Sequence, residues 1–386
     1  MALHPSDTAT SADRPALAYR RIVVKAGTNV LTGKSPRLDR PVMESLVDQM
    51  VRVRSLGAQV VLVTSGAIAA GREAMSASPD AKVQVRQMLA AVGQSRLMHA
   101  YQELFSKSGV IVAQALLTRR DVEDRVGYLN VRNTLESLLD NGAVPIVNEN
   151  DVVDTAEIGQ ERFGDNDTLS ALVANLIDAD LLLILTDTGG LYTADPKRDP
   201  DATLIPRVDE IGEAVMALAE AHRSTISRGG MGSKLEAARR AVSAGVTAII
   251  ANGREPDVLP RVACGEALGT LFPTTVTAME SRKRWLLSGM AESGGVLVID
   301  EGAARAVAEH ARSLLPAGVR EVRGVFNRGD VVVLLNAADR RVGYGIANYG
   351  AEELRAISGA RSDQILGKLG HHYGDEAVHR NNMVTL

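Results

Sequence analysis

Leu181-Leu182-Leu183-Ile184-Leu185, followed at once by Thr186-Asp187, is an unbroken apolar run that stops at two hydrogen-bonding side chains. Five apolar residues in succession leave no polar face, so the segment reads as a strand buried on both sides. Such a strand needs helices above and below it. Working outward, residues 22–25, 60–64, 110–114, 144–148 and 247–251 are further short runs, several of them apolar throughout. Longer stretches with helical spacing stand between them: Val42, Leu46, Met50 and Val53 mark one amphipathic helix, and residues 84–105 another. Strands alternating with helices predict an α/β fold, a three-layer αβα sandwich on a mostly parallel sheet.

The character changes near Arg282-Lys283-Arg284-Trp285. Beyond it, strands are expected at 296–299, 319–322, 331–335 and 342–346, close together and separated by Gly, Asn and Asp turns with little helix. We therefore expect a disordered extension over residues 1–18, a large α/β domain over 19–280, a linker over 281–287, and a small β domain with a C-terminal tail over 288–386. A chain of 386 residues exceeds what one hydrophobic core usually supports, which favours the same division.

Composition narrows the function classes. With 45% hydrophobic residues, 23% charged residues and a net charge of -4, the chain has no global attraction for nucleic acid. From Ser288 onward, eleven Lys and Arg stand against twelve Asp and Glu with few aromatics, which weighs against RNA binding by the β domain. The lone Cys264 excludes an intramolecular disulfide and a cysteine zinc cage, and reads as a small buried hydrophobe. His371, His372 and His379 fall near the C-terminus, where solvation or packing is the expected role, and no metal centre is expected. The first residues lack the basic start and apolar run of a signal peptide, and no segment approaches the roughly 20 apolar residues that cross a bilayer, so a cytoplasmic protein is expected.

In open α/β sheets ligands bind beyond the carboxyl ends of the strands. Four expected strands end there in a similar way: Lys25-Ala26-Gly27-Thr28-Asn29, Thr64-Ser65-Gly66-Ala67, Asn148-Glu149-Asn150-Asp151 and Thr186-Asp187. The two after Lys25 and Thr64 pair small or glycine residues, which admit a ligand to the backbone, with hydrogen-bonding side chains. Lys25 lacks the Gly-x-x-x-x-Gly-Lys-Ser/Thr context of a P-loop, and no Gly-x-Gly-x-x-Gly follows the first strand. Its ammonium could meet a phosphate as a point charge, or simply end a strand at the surface. Gly229-Gly230-Met231-Gly232-Ser233-Lys234 crowds glycines at the entry to a helix marked by Leu235, Ala238 and Val242, either an anion-binding turn or a hinge. Gly164-Asp165-Asn166-Asp167-Thr168 sets two carboxylates and a carboxamide before another helical run, with Asp167 expected as the helix cap. Two lysines and an anion-binding loop facing Asp151, Asn166 and Asp167 form the pattern of a phosphoryl-transfer site.

These segments, with Val63 to Gly71, Leu89-Ala90-Ala91-Val92-Gly93-Gln94 and Gly190 to Pro196, occur in the order found in the glutamate 5-kinase family. The chain resembles that family, amino-acid kinases with a C-terminal PUA domain, from about residue 19 onward. The resemblance implies an αβα kinase fold with a PUA β-barrel, ATP with Mg²⁺ as cofactors, L-glutamate as acceptor, proline as a feedback inhibitor, and a homodimer or homotetramer. It implies that Lys25, Thr186, Asp187, Gly229, Gly230, Met231, Gly232, Ser233 and Lys234 contact ATP, that Ser65, Asp151 and Asn166 hold glutamate, and that Lys25, Lys234 and Asp167 are catalytic. Two departures stand out: Gln160-Glu161-Arg162-Phe163 lengthens the loop before the Asp-Asn-Asp motif, and Ser233 stands where threonine is more usual. A kinase for another carboxylate or carbamate acceptor is the alternative within this fold.

Overall fold

The computed structural model describes residues 16–33, 35, 37–77, 82–153, 166–221, 230–274, 294–310 and 312–385. The chain divides into two compact units. The first comprises Met1–Thr118, Ser137–Val242 and Val246–Thr274. It is built on the strands β1 (Arg21–Ala26), β2 (Gln59–Thr64), β3 (Val112–Leu117), β4 (Val144–Glu149), β5 (Leu181–Thr186), β6 (Thr247–Asn252) and β7 (Thr270–Phe272). Their order across the sheet is β3-β4-β2-β1-β5-β6-β7, parallel throughout except for the β6–β7 pair. The chain moves to one side of β1 through β2, β3 and β4, then returns to place β5 on the other side. The strand order therefore reverses between β1 and β5, where Ala26 and Leu185 are register partners at the carboxyl ends.

The predicted central strands match the observed ones within a residue or so. The expected strand at 110–114 is displaced to Val112–Leu117, on the edge of the sheet, where Ile111 is 72% exposed. A weakly buried edge strand carries less apolar signal to mark where it starts. The three-residue β7 is too short to produce a period.

Strand alternation sorts the side chains of β1. Ile22, Val24 and Ala26 enter a core made with α2 (Arg40–Ser55), the second half of α4 (Val83–Ser106) and α10 (Val258–Ala263), through Met43, Leu46, Met50, Val53, Leu97, Tyr101, Phe105, Val258 and Val262. Val23 and Lys25 point to the other face, where α7 (Asn166–Leu176) packs across β1, β2, β4 and β5. The periodicity expected for α2 and α4 is therefore real. Asp39 caps α2, accepting from the Val42 N–H.

α3 (Ala67–Met75) and α4 cross with their backbones almost touching. A Cβ built on Gly93 would lie 1.8 Å from the Ala67 carbonyl oxygen, and one on Gly71 1.9 Å from that of Leu89. Glycine is required at both positions. This crossing carries Gln94, the residue after Gly93, toward the carboxyl ends of the strands.

The second unit comprises Arg119–Glu136, Ser243–Gly245 and Thr275–Leu386. Its five-stranded sheet has the order β12-β11-β10-β8-β9, from β8 (Gly295–Ile299), β9 (Val319–Arg323), β10 (Val331–Leu335), β11 (Arg341–Ile346) and β12 (Met383–Thr385). The four expected strands are present. More helix is present than the sequence suggested: Glu301–Ala308, Ala351–Ile357 and Ile365–Leu369 bury Val307, Leu354, Ile357 and Ile365, in segments too brief for a clear 3.6 period. Within this unit Leu129, from the helix Arg125–Asp140, packs on Val331, Tyr344, Ile346 and Val384. His371 and His372 pair with Glu353 and Asp375, at 2.6 and 3.1 Å, and His379 is held below the ordinary histidine range by burial. Cys264 is a half-exposed free thiol in the first unit rather than a buried one, because it lies just past the end of α10. Among the described residues no helix is long and apolar enough to cross a membrane.

Candidate active site

Lys25 and Lys234 converge on one carboxylate. Lys25 leaves the penultimate position of β1 on the face covered by α7, whose first turn carries Asp167. Its ammonium donates to Asp167 Oδ1. Lys234, in the first turns of α9 (Met231–Ser243), donates from Nζ to Asp167 Oδ2 at 3.2 Å, and the Ser233 hydroxyl donates to the same oxygen at 2.7 Å. All three charged groups are buried: Asp167 is 0%, Lys25 3% and Lys234 6% exposed. Gly27 closes over this pair, since a Cβ there would sit 3.2 Å from Lys25 Nζ.

Asp167 is not the helix cap that the sequence suggested. The helix already includes Asn166, so Asp167 lies inside its first turn, and its carboxylate meets the two ammonium groups. Burial alone would raise its pKa. The charges of Lys25 and Lys234, with hydrogen bonds from Lys25 and Ser233, outweigh that effect and hold it well below the ordinary carboxylate range.

The preceding residue, Asn166, opens a second cluster made of carboxamides. Its Nδ2 donates to Ser65 Oγ at 3.1 Å and to Asn148 Oδ1 at 3.2 Å. Asn148 in turn donates from Nδ2 to Gln94 Oε1 at 2.8 Å, while its Oδ1 also accepts from the Glu149 N–H at 2.9 Å. Ser65 follows β2, and its N–H donates to the Ala26 carbonyl at 3.1 Å, tying the ends of β1 and β2 together. Consecutive residues of α7 thus serve two adjoining clusters, one cationic and one of neutral amides.

Thr186 and Asp187 end β5, next to β1 in the sheet. Thr186 Oγ1 lies 3.4 Å from Asp187 Oδ1, and Lys197 Nζ lies 3.7 Å from Asp187 Oδ2. The described contacts join these residues to one another, not to the lysine–carboxylate triad. Asp151 sits half-buried in the turn after β4. Gly230 immediately precedes α9, and Met231 and Gly232 form its first turn. Gly229, Gly164, Asp165, the 160–163 insertion and Arg282 to Trp285 lie outside the described residues.

Sequence reasoning gave no individual role to Asn148 or Gln94. Gln94 had one signal: it follows a glycine inside a helical pattern, which marks a close backbone approach.

Residues 20–252 match the model of the amino acid kinase family. The chain belongs to the amino acid kinase family. It also matches the PUA domain over residues 295–369. The relatives of this amino acid kinase include the glutamate 5-kinase of Dehalococcoides mccartyi, 50% identical over 369 residues covering 95% of this chain and 99% of that one. The glutamate 5-kinase of Shewanella oneidensis is 49% identical over 372 residues, covering 96% and 99%, and that of Shigella flexneri 48% identical over 366 residues, covering 94% and 98%. The family is one of phosphotransferases, and the parallel sheet with its separate C-terminal sheet agrees with the two domain matches.

Proposed function

We propose that the chain transfers the γ-phosphoryl group of ATP to the side-chain carboxylate of L-glutamate, giving L-glutamyl 5-phosphate for proline biosynthesis in the cytoplasm. The observation that carries this reading is the pair of buried ammonium groups brought to one point beside a cluster of neutral amides. Near-complete alignment with glutamate 5-kinases supports the choice of acceptor.

The chemistry needs no general base. A glutamate carboxylate, with an ordinary pKa of about 4.3, is already ionised at neutral pH. One of its oxygens attacks the γ-phosphorus, the bond from that phosphorus to the β,γ-bridging oxygen breaks, and ADP leaves with the electron pair. What the protein must supply is alignment and charge compensation. Lys25 and Lys234 compensate charge on the transferring group and on the leaving oxygen, and Asp167 keeps both ammonium groups aimed at one point. Gly230 to Ser233 offer backbone N–H groups at the start of α9 to the nucleotide phosphates, with Gly229 adjoining. Thr186 and Asp187 contact the nucleotide. Ser65, Asn166 and Asp151 hold glutamate, Asp151 by receiving its ammonium. Ser65 acts as a binder: its hydroxyl accepts from Asn166, with no histidine among its described contacts to activate it.

Mg²⁺ accompanies ATP. Among the described residues no group of three or more His, Cys, Asp or Glu could cage a metal ion. Bound with ATP, the ion would supply further charge neutralisation on the phosphates. Feedback inhibition by proline and assembly into a homodimer or homotetramer complete the proposal.

Incubating the protein with ATP, Mg²⁺, L-glutamate and hydroxylamine tests the reaction, because hydroxylamine converts an acyl phosphate into a hydroxamate. Glutamyl hydroxamate should form only when ATP and glutamate are both present. Its absence, with hydroxamate appearing from aspartate or N-acetylglutamate instead, would overturn the choice of acceptor.

A further inference from the structure

The amide cluster has a polarity that can be read without assigning oxygen and nitrogen by eye. The Glu149 N–H is a donor whatever the side chains do, so the Asn148 atom that receives it at 2.9 Å must be the oxygen. The Asn148 nitrogen then faces Gln94 and must donate, so Gln94 presents its oxygen to Asn148, at 2.8 Å. The same Asn148 oxygen faces Asn166, so Asn166 presents its nitrogen there, at 3.2 Å. One backbone N–H fixes the orientation of three side chains.

Two atoms remain. Gln94 Nε2 and Asn166 Oδ1 are both shut off from water, and among the described residues neither has a hydrogen-bond partner. Buried polar groups without partners are destabilising and uncommon. Here they lie at opposite ends of one relay, a donor at one end and an acceptor at the other. A ligand that satisfies both must offer an acceptor to Gln94 and a donor to Asn166. The α-carboxylate and α-ammonium of an amino acid, attached to the same carbon, provide that combination. The ammonium carries three N–H donors, enough for Asn166 Oδ1 and the Asp151 carboxylate together.

We propose that Gln94 is a substrate-specificity residue: its Nε2–H donates to the α-carboxylate of the bound amino acid, while its Oε1 holds Asn148 and, through it, Asn166 in place. The inference rests on the reading of the site as an amino-acid kinase acting on glutamate. It explains the close crossing of α3 and α4, since the Gly71 and Gly93 contacts let α4 approach near enough for Gln94 to reach Asn148. It also divides labour within the acceptor: the α-carbon end is read by neutral amides and Asp151, leaving the side-chain carboxylate for the lysine end of the site.

Gln94→Glu separates the two functions of this side chain. A carboxylate still accepts from Asn148 Nδ2, so the relay keeps its orientation, but the free donor becomes an anion facing the α-carboxylate. With hydroxamate formation by the unaltered protein as the prior check, the KM for glutamate should rise on the order of 10- to 100-fold, the range expected when a buried partner is lost. The KM for ATP should stay within about 2-fold. Glutamic acid α-amide supplies the discriminating measurement, because its amide nitrogen can donate to the new carboxylate. The preference for glutamate over the α-amide in kcat/KM should fall at least ~10-fold in Gln94→Glu. A purely structural role for Gln94 would not shift that ratio.

An unchanged glutamate KM, or an unchanged preference ratio, would overturn the proposal. If the unaltered protein forms no hydroxamate from glutamate, it is the functional reading that fails. Should Gln94→Glu fail to fold, Gln94→Met replaces it: with neither hydrogen bond available, its glutamate KM should rise and its ATP KM stay constant. Equal changes in both would refute the assignment.

Discussion

Replacing Asp167 by asparagine removes a charge that Lys25 and Lys234 share while preserving the shape of the side chain. The ion pairs are almost wholly out of water, with side-chain exposures of 4% for Lys25, 8% for Lys234 and 0% for Asp167, so solvent cannot take over the compensation. Removing one partner of a buried pair costs about 3–5 kcal/mol. At roughly 2–4 °C per kcal/mol for a domain of this size, Asp167→Asn should lower Tm by on the order of 10 °C. The pH dependence has a definite sign. The folded state holds the Asp167 pKa below its unfolded value, through Lys25 and Lys234 acting against burial. Its stabilising contribution is therefore fully present above the unfolded carboxylate pKa of about 3.9, and is lost as pH falls toward the folded value. Scanning fluorimetry of both proteins should show a Tm gap that is constant from pH 8 to about 5 and narrows below about 4. A variant melting within about 2 °C of the parent across that range would show that the carboxylate does not anchor the two ammonium groups.

Lys234→Ala and Lys25→Ala should each lower kcat by on the order of 10²-fold or more, by analogy with the loss of one donor to developing charge; near-normal turnover in a folded variant would remove that lysine from the mechanism. Asp151→Asn should raise the glutamate KM by about 10-fold or more with little effect on ATP, as expected for a lost charge-assisted bond to the substrate ammonium; an unchanged value in steady-state kinetics would dismiss the role. Gly93→Ala should destabilise the first unit by about 1–3 kcal/mol or more, since its Cβ would lie 1.8 Å from the Ala67 carbonyl oxygen. Gly212→Ala, where a Cβ meets nothing within 4 Å, is the control and should stay within about 0.5 kcal/mol in denaturant titration.

The sheet was legible because its central strands are apolar on both faces: Leu181 to Leu185 and Val60 to Val63 carry the same message at every position. The strands that escaped, β7 and β12, are three residues each and are defined by antiparallel partners elsewhere in the chain. The candidate residues were legible at the level of position. Lys25, Ser65, Asp151 and Asp187 stand in or beside the carboxyl ends of strands, and Lys234 near the start of a helix. Their partners were not, because a hydrogen bond such as that between Asn148 and Gln94 joins two elements whose approach depends on how α3 and α4 cross. Asp167 shows the same limit. Local pattern made it a cap, and only the arrival of a strand lysine and a helix lysine from either end of the domain makes it the counter-charge.

That arrangement bears on how the reaction is organised. Two ammonium groups aimed at one point repel each other, and burying them without an anion would favour their deprotonation or their separation. On the proposed function, Asp167 would hold both ammonium groups in place before any phosphate arrives. Preorganisation of this kind avoids reorienting charged groups during phosphoryl transfer, which is where electrostatic catalysis gains its advantage over water. The amide cluster applies the same logic to the acceptor. Because a backbone N–H sets the orientation of Asn148, and Asn148 sets Asn166 and Gln94, the donor and acceptor pattern that the proposed function assigns to the amino acid is fixed by the protein itself. The helix start that places Asp167 among the lysines also places Asn166 among the amides, so a shift of α7 would disturb both clusters together.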